Sequence, residues 1–470
     1  MLAFATQPLL GRPKSLSTGQ SSCPRRRQTV VASLKVAVAG GGLGGLAVAG
    51  ALLQKGFDVR VYEQASSYKP FGGPIQVQSN ALALLQDINE SLTRAISADG
   101  TATGNRKSGI KDGLSDAWYC QFDTGAPAKK RNLPLTHVID RPKLQEALAK
   151  FVISQSPRAI RTSSRVVGYC NHADHVDVLL ENGTTESADV LVGADGIWSS
   201  VRAQMHGEDA RSSASYSGYH CFTATCKYVS EDVDEISYKI YLGKKQYFVA
   251  SDVGQGRVQW YAFLGRPAGS ETQGEKLGFL SSKFDGWSPE VQEILNATEE
   301  GEVEARDLYD RAPFVRKGWI DERVVLLGDA AHPMMPNLGQ GGCMAFEDAY
   351  TLASSLGELG SNASRDQVHQ ALERYQRKRF GRTAIVQGLA QMSSNLLFHY
   401  ERLATGGVQA FLGWGVFWST IGSVIVGGSM PLVLDFLYVN LVDATEQRTS
   451  DIPESPTKAW ATVKASSRQN

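Results

Sequence analysis

No acidic residue precedes Asp58, although the opening stretch is rich in Ser, Thr and Arg, with Arg25, Arg26 and Arg27 just before Val30, Val31 and Ala32. It also lacks the apolar core of a secretory signal. This composition predicts an organelle transit peptide of plastid type over residues 1–33, cleaved near Ala32 or Ser33; a disordered tail without addressing value is the alternative. Paired cysteines are missing as well: Cys23, Cys120, Cys170, Cys221, Cys226 and Cys343 form no CxxC spacing, so neither a zinc site nor a disulfide framework is expected. Charge of one sign is missing, since 48 basic residues balance 48 acidic ones, which argues against a nucleic-acid binder. All charge is missing from Leu403 to Leu434, a run longer than the roughly 20 apolar residues of a membrane-spanning helix. Gly406, Gly407, Gly413, Gly415, Gly422, Gly427, Gly428 and Pro431 interrupt it. Residues 401–445 therefore read as short apolar helices docking into one leaflet, with a true span or a buried helical pair as alternatives. The polar residues 446–470 read as a disordered tail.

What is present supports a large core. Hydrophobic residues make up 42% of the 470 positions, enough for two or three domains. Lys35 to Ala39 reads as a strand, Leu46 to Lys55 as a helix stopped by Gly56, and Val59 to Glu63 as a second strand, a βαβ start of doubly wound type. Arg141-Pro142 opens a helix, and Asn182-Gly183 joins two alternating segments as a hairpin. Between Ser217 and Phe263 the chain turns aromatic and β-branched, with Tyr219, Phe222, Tyr241, Tyr247, Phe248, Trp260, Tyr261 and Phe263. An antiparallel sheet inserted at about 205–300 into a nucleotide-binding domain of 34–400 follows, although most such aromatics serve only as core. Val324 to Leu327 returns to that domain as a strand, and Gly341 to Leu356 is a helix.

Three loops in fixed order carry the chemistry. In Gly40-x-Gly42-Leu43-Gly44-Gly45 the first glycine permits a tight turn, the second lets backbone approach a pyrophosphate, and the third lets helix pack on strand, with phosphate charge at the helix N-terminus. Glu63, at the end of the second strand, is placed for a ribose hydroxyl. Asp195 and Gly196 follow an apolar strand; Asp195 reads as a ligand for sugar or pyridine-nucleotide groups with Arg202 as phosphate partner, or else as a helix cap beside a surface arginine. Gly328 and Asp329 follow another strand, and the loop Pro336, Gly339, Gln340, Gly341, Gly342 precedes a helix. Asp329 is positioned for a ribitol hydroxyl, and the loop N–H groups for negative charge on a flavin ring. His332 reads equally well as a base or as a loop-fixing histidine. One long ligand gripped at several points, FAD, accounts for all three loops.

The order of these signatures, with Arg141-x-x-Leu144 between the first two, resembles the group A flavoprotein monooxygenases of the aromatic-hydroxylase type. Longer strings, among them Gly73 to Leu82, Trp118 to Thr124, Tyr216 to Tyr219, Lys245 to Val249 and Pro336 to Ala345, are similar to the plastid zeaxanthin epoxidase branch over about residues 35–395. Two positions depart from it: Gly72 stands where a basic residue is usual, and Met335 where a glutamine is usual. The segment Thr101 to Lys111 looks longer than its counterpart, and no forkhead-associated segment is expected.

The resemblance implies an α/β fold: a Rossmann-like FAD-binding domain with an inserted substrate sheet and a C-terminal helical region. It implies an enzyme that epoxidises a ring double bond of a xanthophyll through a flavin C4a-hydroperoxide. NAD(P)H or reduced ferredoxin would donate electrons, dioxygen would be co-substrate, and the substrate would lie in lipid at a plastid thylakoid or envelope surface. It assigns Arg141 to the cofactor and no residue to general acid–base work or to a metal. A hydroxylase of soluble phenols, an isoprenoid flavin reductase and a flavin-free carotenoid binder remain alternatives on the same fold.

Overall fold

The computed structural model describes residues 33–68, 72–272, 274–312, 318–360, 363–398, 433 and 436–438. The expected transit peptide, most of the 401–445 region and the 446–470 tail lie outside these residues.

Six strands form the nucleotide sheet, in the order β18 (Ile320–Asp321), β19 (Val324–Leu326), β12 (Val190–Gly193), β1 (Lys35–Ala39), β2 (Asp58–Tyr62), β8 (Ile160–Arg161). All neighbours are parallel except β18 with β19. Such a sheet is covered on both faces, so its strands are near-continuous apolar runs rather than alternating ones. Val36 to Ala39, Val190 to Val192 and Val324 to Leu326 are all buried. Helix α1 (Leu43–Gln54) follows β1 at once and packs against α5 (Arg141–Gln155) and α9 (Gly341–Leu356). The hairpin of β10 (Val176–Leu180) and β11 (Thr185–Ala188) turns at Asn182-Gly183, where Gly183 has φ +82°, and β10 also pairs with β9 (Val166–Asn171). A small antiparallel sheet holds β7 (His137–Ile139) between β3 (Ile75–Val77) and β4 (Thr101–Ala102).

The aromatic stretch forms a seven-stranded sheet wider than the sequence suggests. Its order is β17 (Glu304–Asp310), β13 (Ser215–Lys227), β16 (Arg257–Gly265), β15 (Gln246–Gly254), β14 (Ile236–Gly243), β5 (Lys107–Asp112), β6 (Trp118–Asp123). The Thr101 to Lys111 segment thus supplies a strand to it, and β5 joins β14 in parallel within an otherwise antiparallel arrangement. Side chains alternate between its faces. Phe222, Tyr241, Phe248 and Trp260 pack against α7 (Lys276–Lys283) and α8 (Pro289–Asn296), whereas Tyr219, Tyr247, Tyr261 and Phe263 face Met335 and Leu338 of the loop before α9.

Helices α2 (Ser79–Ile88), α3 (Glu90–Asp99), α4 (Gly125–Lys130), α6 (Ser200–His206) and α10 (Arg365–Phe398) complete the described fold. Among the described residues no helix is long and apolar enough to cross a membrane. Leu437 and Tyr438, inside the stretch expected to meet lipid, are instead buried in protein with Ala83, Leu133, Met344 and Val386. The carbonyl of Leu437 accepts Arg382 Nη2 at 2.8 Å, so the backbone is held there too.

Candidate active site

The first loop is built by close approach. Gly40 has φ +99°, and a Cβ there would lie 2.5 Å from the carbonyl oxygen of Ala194 on the neighbouring strand end, so only glycine fits. Gly45 packs on the carbonyl of Gly40, and Gly44 on Leu327 and Ala345, while the Leu43 side chain enters the core. Gly42 differs: a Cβ there would meet nothing within 4 Å. Helix α1 starts next to it with no side-chain cap and no acid in its first turn, which leaves its N–H groups for an anion. Glu63 accepts from Gly41 N and Ala65 N, each at 2.7 Å, and so holds the turn while keeping lone pairs free.

Sequence reasoning missed two residues here. Gln145 Nε2 donates to the carbonyl of Gly41 at 3.0 Å, and its position one helical turn after Arg141 was the available signal. Among the described residues Tyr68 Oη, buried against Gly41 and Glu63, has no partner, and burial pushes its phenol up to about 12.

The second loop is structural. Both Asp195 oxygens are engaged, one by the Ser199 hydroxyl and the other by Ser200 N at 2.8 Å and Val201 N at 3.3 Å. Ser199 in turn accepts from Arg202 N at 2.9 Å, so Asp195 and Ser199 cap α6 together, as the second reading had it, with Gly196 at φ +80° making the bend. Arg202 is not a phosphate partner: it is only 4% exposed, its Nε is 3.0 Å from Glu208 Oε1, and its Nη1 donates to the carbonyls of Ala331 at 3.0 Å and Ala330 at 3.2 Å. Its guanidinium therefore ties α6 to the third loop.

That loop presents one acid to the cleft. Asp329 is exposed, and among the described residues nothing hydrogen-bonds its carboxyl. Desolvation raises its pKa, against the pull of His332 and Arg141. Arg141, at the start of α5, is likewise exposed and without an ion pair among the described residues. Gly72 lies against it, with φ +92° and its missing Cβ 3.1 Å from Arg141 Cδ, so any side chain there would be strained and would crowd the arginine stem.

His332 belongs to the scaffold. Its Nε2 bonds Asp348 Oδ2, which also accepts Gly328 N at 3.0 Å, while Asp348 Oδ1 accepts Arg379 Nε at 2.6 Å. Burial raises the Asp348 carboxyl, but His332 and Arg379 prevail and hold it at about 2. Glu347 is clasped by Arg379 and Arg382 beside it.

In the loop Pro336 to Gly342, Gly339 turns at φ +62° and α9 begins at Gly341 without a side-chain cap or an acid in its first turn. The Gln340 side chain is not offered to a ligand: it is fully buried, donating to Gln78 Oε1 at 2.5 Å and accepting Asn80 Nδ2 at 3.0 Å. Above the loop, Met335 is buried against Tyr219, Tyr247 and Phe263, the last two rings stacked 4.3 Å apart. Asn337 Nδ2 donates to Tyr247 Oη at 3.1 Å and pins the loop to the sheet.

Metal ligands gather at one place among the described residues, the turn between β9 and β10. There His172, His175 and Asp177 bring ligand atoms within 4.8 Å of one another, and none of them belongs to the cleft.

The unobstructed Gly42, the two uncapped helix starts, the orphaned Tyr68 hydroxyl and the unpaired Asp329 and Arg141 form a donor and acceptor set that suits a dinucleotide with a hydroxylated chain. The chain is similar to the chloroplastic zeaxanthin epoxidase of an Oncidium hybrid cultivar, 42% identical over 86% of this chain and 62% of that one. It is also similar to the Oryza sativa subsp. japonica enzyme of the same name, 43% identical over 78% and 56%. It thus spans less than two thirds of the length of these curated relatives. In fold it resembles Klebsiella pneumoniae HpxO complexed with FAD and uric acid, with a TM-score of 0.71 over 86% of this chain and 97% of that one at 24% identity. Residues 33–389 match the FAD binding domain family, and the chain belongs to it.

Proposed function

We propose that this protein is an FAD-dependent monooxygenase that epoxidises the ring double bond of a xanthophyll such as zeaxanthin or antheraxanthin. The observation that carries this reading is the aromatic face of the seven-stranded sheet, with Tyr219, Tyr247, Tyr261 and Phe263 set over Met335 and Leu338 beside the cofactor loop. An apolar ring can be oriented there by packing. The names of the plastid relatives support the same reading.

Bound FAD supplies the electron transfer and oxygen activation that side chains lack. The chain's own residues hold and shield it. Gly42 and the start of α1 take the pyrophosphate, Glu63 and Tyr68 the ribose side, and Asp329 and Arg141 the ribitol side. The uncapped start of α9 favours negative charge on the flavin ring. Met335, Leu338 and the tyrosine wall exclude water, and the bulky alkene is positioned by packing rather than by acid–base groups. NAD(P)H or reduced ferredoxin would reduce the cofactor, dioxygen would be consumed, and the polyene would remain in lipid at a plastid membrane, since a carotenoid is on the order of 30 Å long, the thickness of a bilayer core.

The test is mass analysis of pigments after the FAD-loaded protein is incubated in lipid with zeaxanthin, oxygen, NADPH and a ferredoxin reducing system. A product heavier by one oxygen, with shortened conjugation, is expected. A gain of two hydrogens would replace this reading by a reductase, and turnover confined to soluble phenols would replace it by a hydroxylase.

A further inference from the structure

We propose that the polar recess between β3, β5 and β14 binds the hydroxyl group of a hydroxylated cyclic alkene and so selects which ring enters the cleft. This rests on the epoxidase reading and names the group by which its substrate is recognised.

Gln76, Ser108, Thr124 and Tyr238 line this recess, together with Gln78 and Tyr438. The small sheet meets the seven-stranded sheet here: Gln76 lies on β3, and Ser108 and Tyr238 are direct partners across the parallel β5–β14 pair. Interfaces between two such units are common ligand sites. Several lining groups are already satisfied. Gln78 Nε2 donates to the carbonyl of Leu338 at 2.8 Å, and the Ser237 hydroxyl donates to the carbonyl of Thr103 at 3.3 Å. Four are not: the Gln76 amide and the hydroxyls of Ser108, Thr124 and Tyr238 have no side-chain hydrogen bond among the described residues. Ser108 is nonetheless only 6% exposed, and burial pushes the Tyr238 phenol up to about 12. These groups are still reached by solvent, and their convergence on one recess at the junction of two sheets, without side-chain partners among the described residues, points to a polar guest.

The surroundings fit an amphipathic guest. Side chains on one face recur every second residue, so Ser108 continues into Ile110 and Tyr238 into Ile240, both in the apolar cluster with Met335 and Leu338. Gln76 Oε1 lies 3.4 Å from the missing Cβ of Gly339, which places the recess directly beside the cofactor loop. A ring that is apolar except for one hydroxyl can set its body on Ile110, Ile240 and Met335 and its hydroxyl among Gln76, Ser108 and Tyr238. A site built around a hydroxyl also rejects the analogue without one, because its own groups are then left unpaired.

The experiment measures binding of two ring fragments, 3-hydroxy-β-ionone and β-ionone, to the FAD-loaded protein by perturbation of flavin absorbance. The hydroxylated ring is expected to bind about tenfold tighter. Tyr238→Phe and Ser108→Ala each remove a hydroxyl without changing shape and should bring the ratio toward one, with flavin content and melting temperature as controls for folding. Equal binding of the two rings by the unaltered protein would overturn the proposal, as would a preference that survives both substitutions and Gln76→Leu; ordered water would then be the occupant of the recess. A fragment preference without oxygenated pigment would refute the epoxidase reading and leave hydroxyl recognition supported, whereas oxygenated pigment with equal fragment binding would overturn the recess alone.

Discussion

Arg202 Nη1 lies 3.0 Å from the carbonyl oxygen of Ala331, so the arginine of the second loop holds the backbone of the third. Arg202→Met would leave the carbonyls of Ala330 and Ala331 without that donor and the Glu208 carboxylate with Arg311 but not Arg202. The expected cost is about 1–3 kcal/mol of stability, seen as a lower melting temperature in apoprotein and holoprotein alike. FAD affinity should fall only through the loosened loop. A phosphate-binding arginine would give the opposite pattern, with apoprotein stability unchanged.

The glycines of the first loop separate fold from ligand. Gly40→Ala forces a Cβ onto Ala194 at an unfavourable φ and should destabilise the apoprotein. Gly42→Ala meets no protein atom within 4 Å, so apoprotein stability should hold while FAD affinity drops by at least about tenfold. Thermal melts and flavin titration of the two variants check this directly.

Asp329 has a folded-state pKa raised by desolvation. With the sign worked through, the carboxylate's cost to folding appears as pH rises above the ordinary aspartate range and is absent below it, and because solvent reaches the exposed side chain that cost is small. Asp329→Asn should therefore melt slightly higher than the parent apoprotein at neutral pH, yet bind FAD more weakly. Unchanged FAD affinity in the variant would remove Asp329 from the set of ligand-facing groups.

Asp348 runs the other way. Its carboxyl is held down to about 2, so it stabilises the fold above the ordinary aspartate pKa, and that contribution is lost as pH falls from about 4 toward 2. Asp348→Asn should flatten the stability profile over that window. Arg379→Met, which removes the cation shared by two fully buried carboxylates and leaves Glu347 to Arg382 and Asp348 to His332, should cost about 3–5 kcal/mol.

The glycine turn, the strand that runs up to Glu63 and the α9 helix were legible because each rests on local spacing: strand, turn and helix follow one another without help from distant residues. Arg202 was misread for the converse reason. An arginine beyond a strand-end aspartate has the same sequence appearance whether it meets a phosphate or two carbonyls more than a hundred positions away, and burial alone decides between them. Gln340 likewise turns inward because Gln78 and Asn80, remote in sequence, complete its hydrogen bonds. The aromatics of the inserted sheet could be listed but not sorted, since alternation divides them between helices and cleft only once the register is fixed. Strand β5 escaped notice because its run Lys-Ser-Gly-Ile-Lys-Asp has few β-branched residues and is held by its partners on either side.

The interleaving of the nucleotide sheet has a consequence for how the protein is made. Strand β1 pairs with β12, and β12 with β19, so residues at 36, 191 and 324 must all be present before that sheet closes. Parallel pairings of such sequence separation are slow to form, and until the ribosome has delivered β19 the unpaired edge of β12 is open to other chains. Synthesis from the N-terminus thus leaves that edge unpaired until β19 has been made, so the strand order itself sets how late the sheet can close.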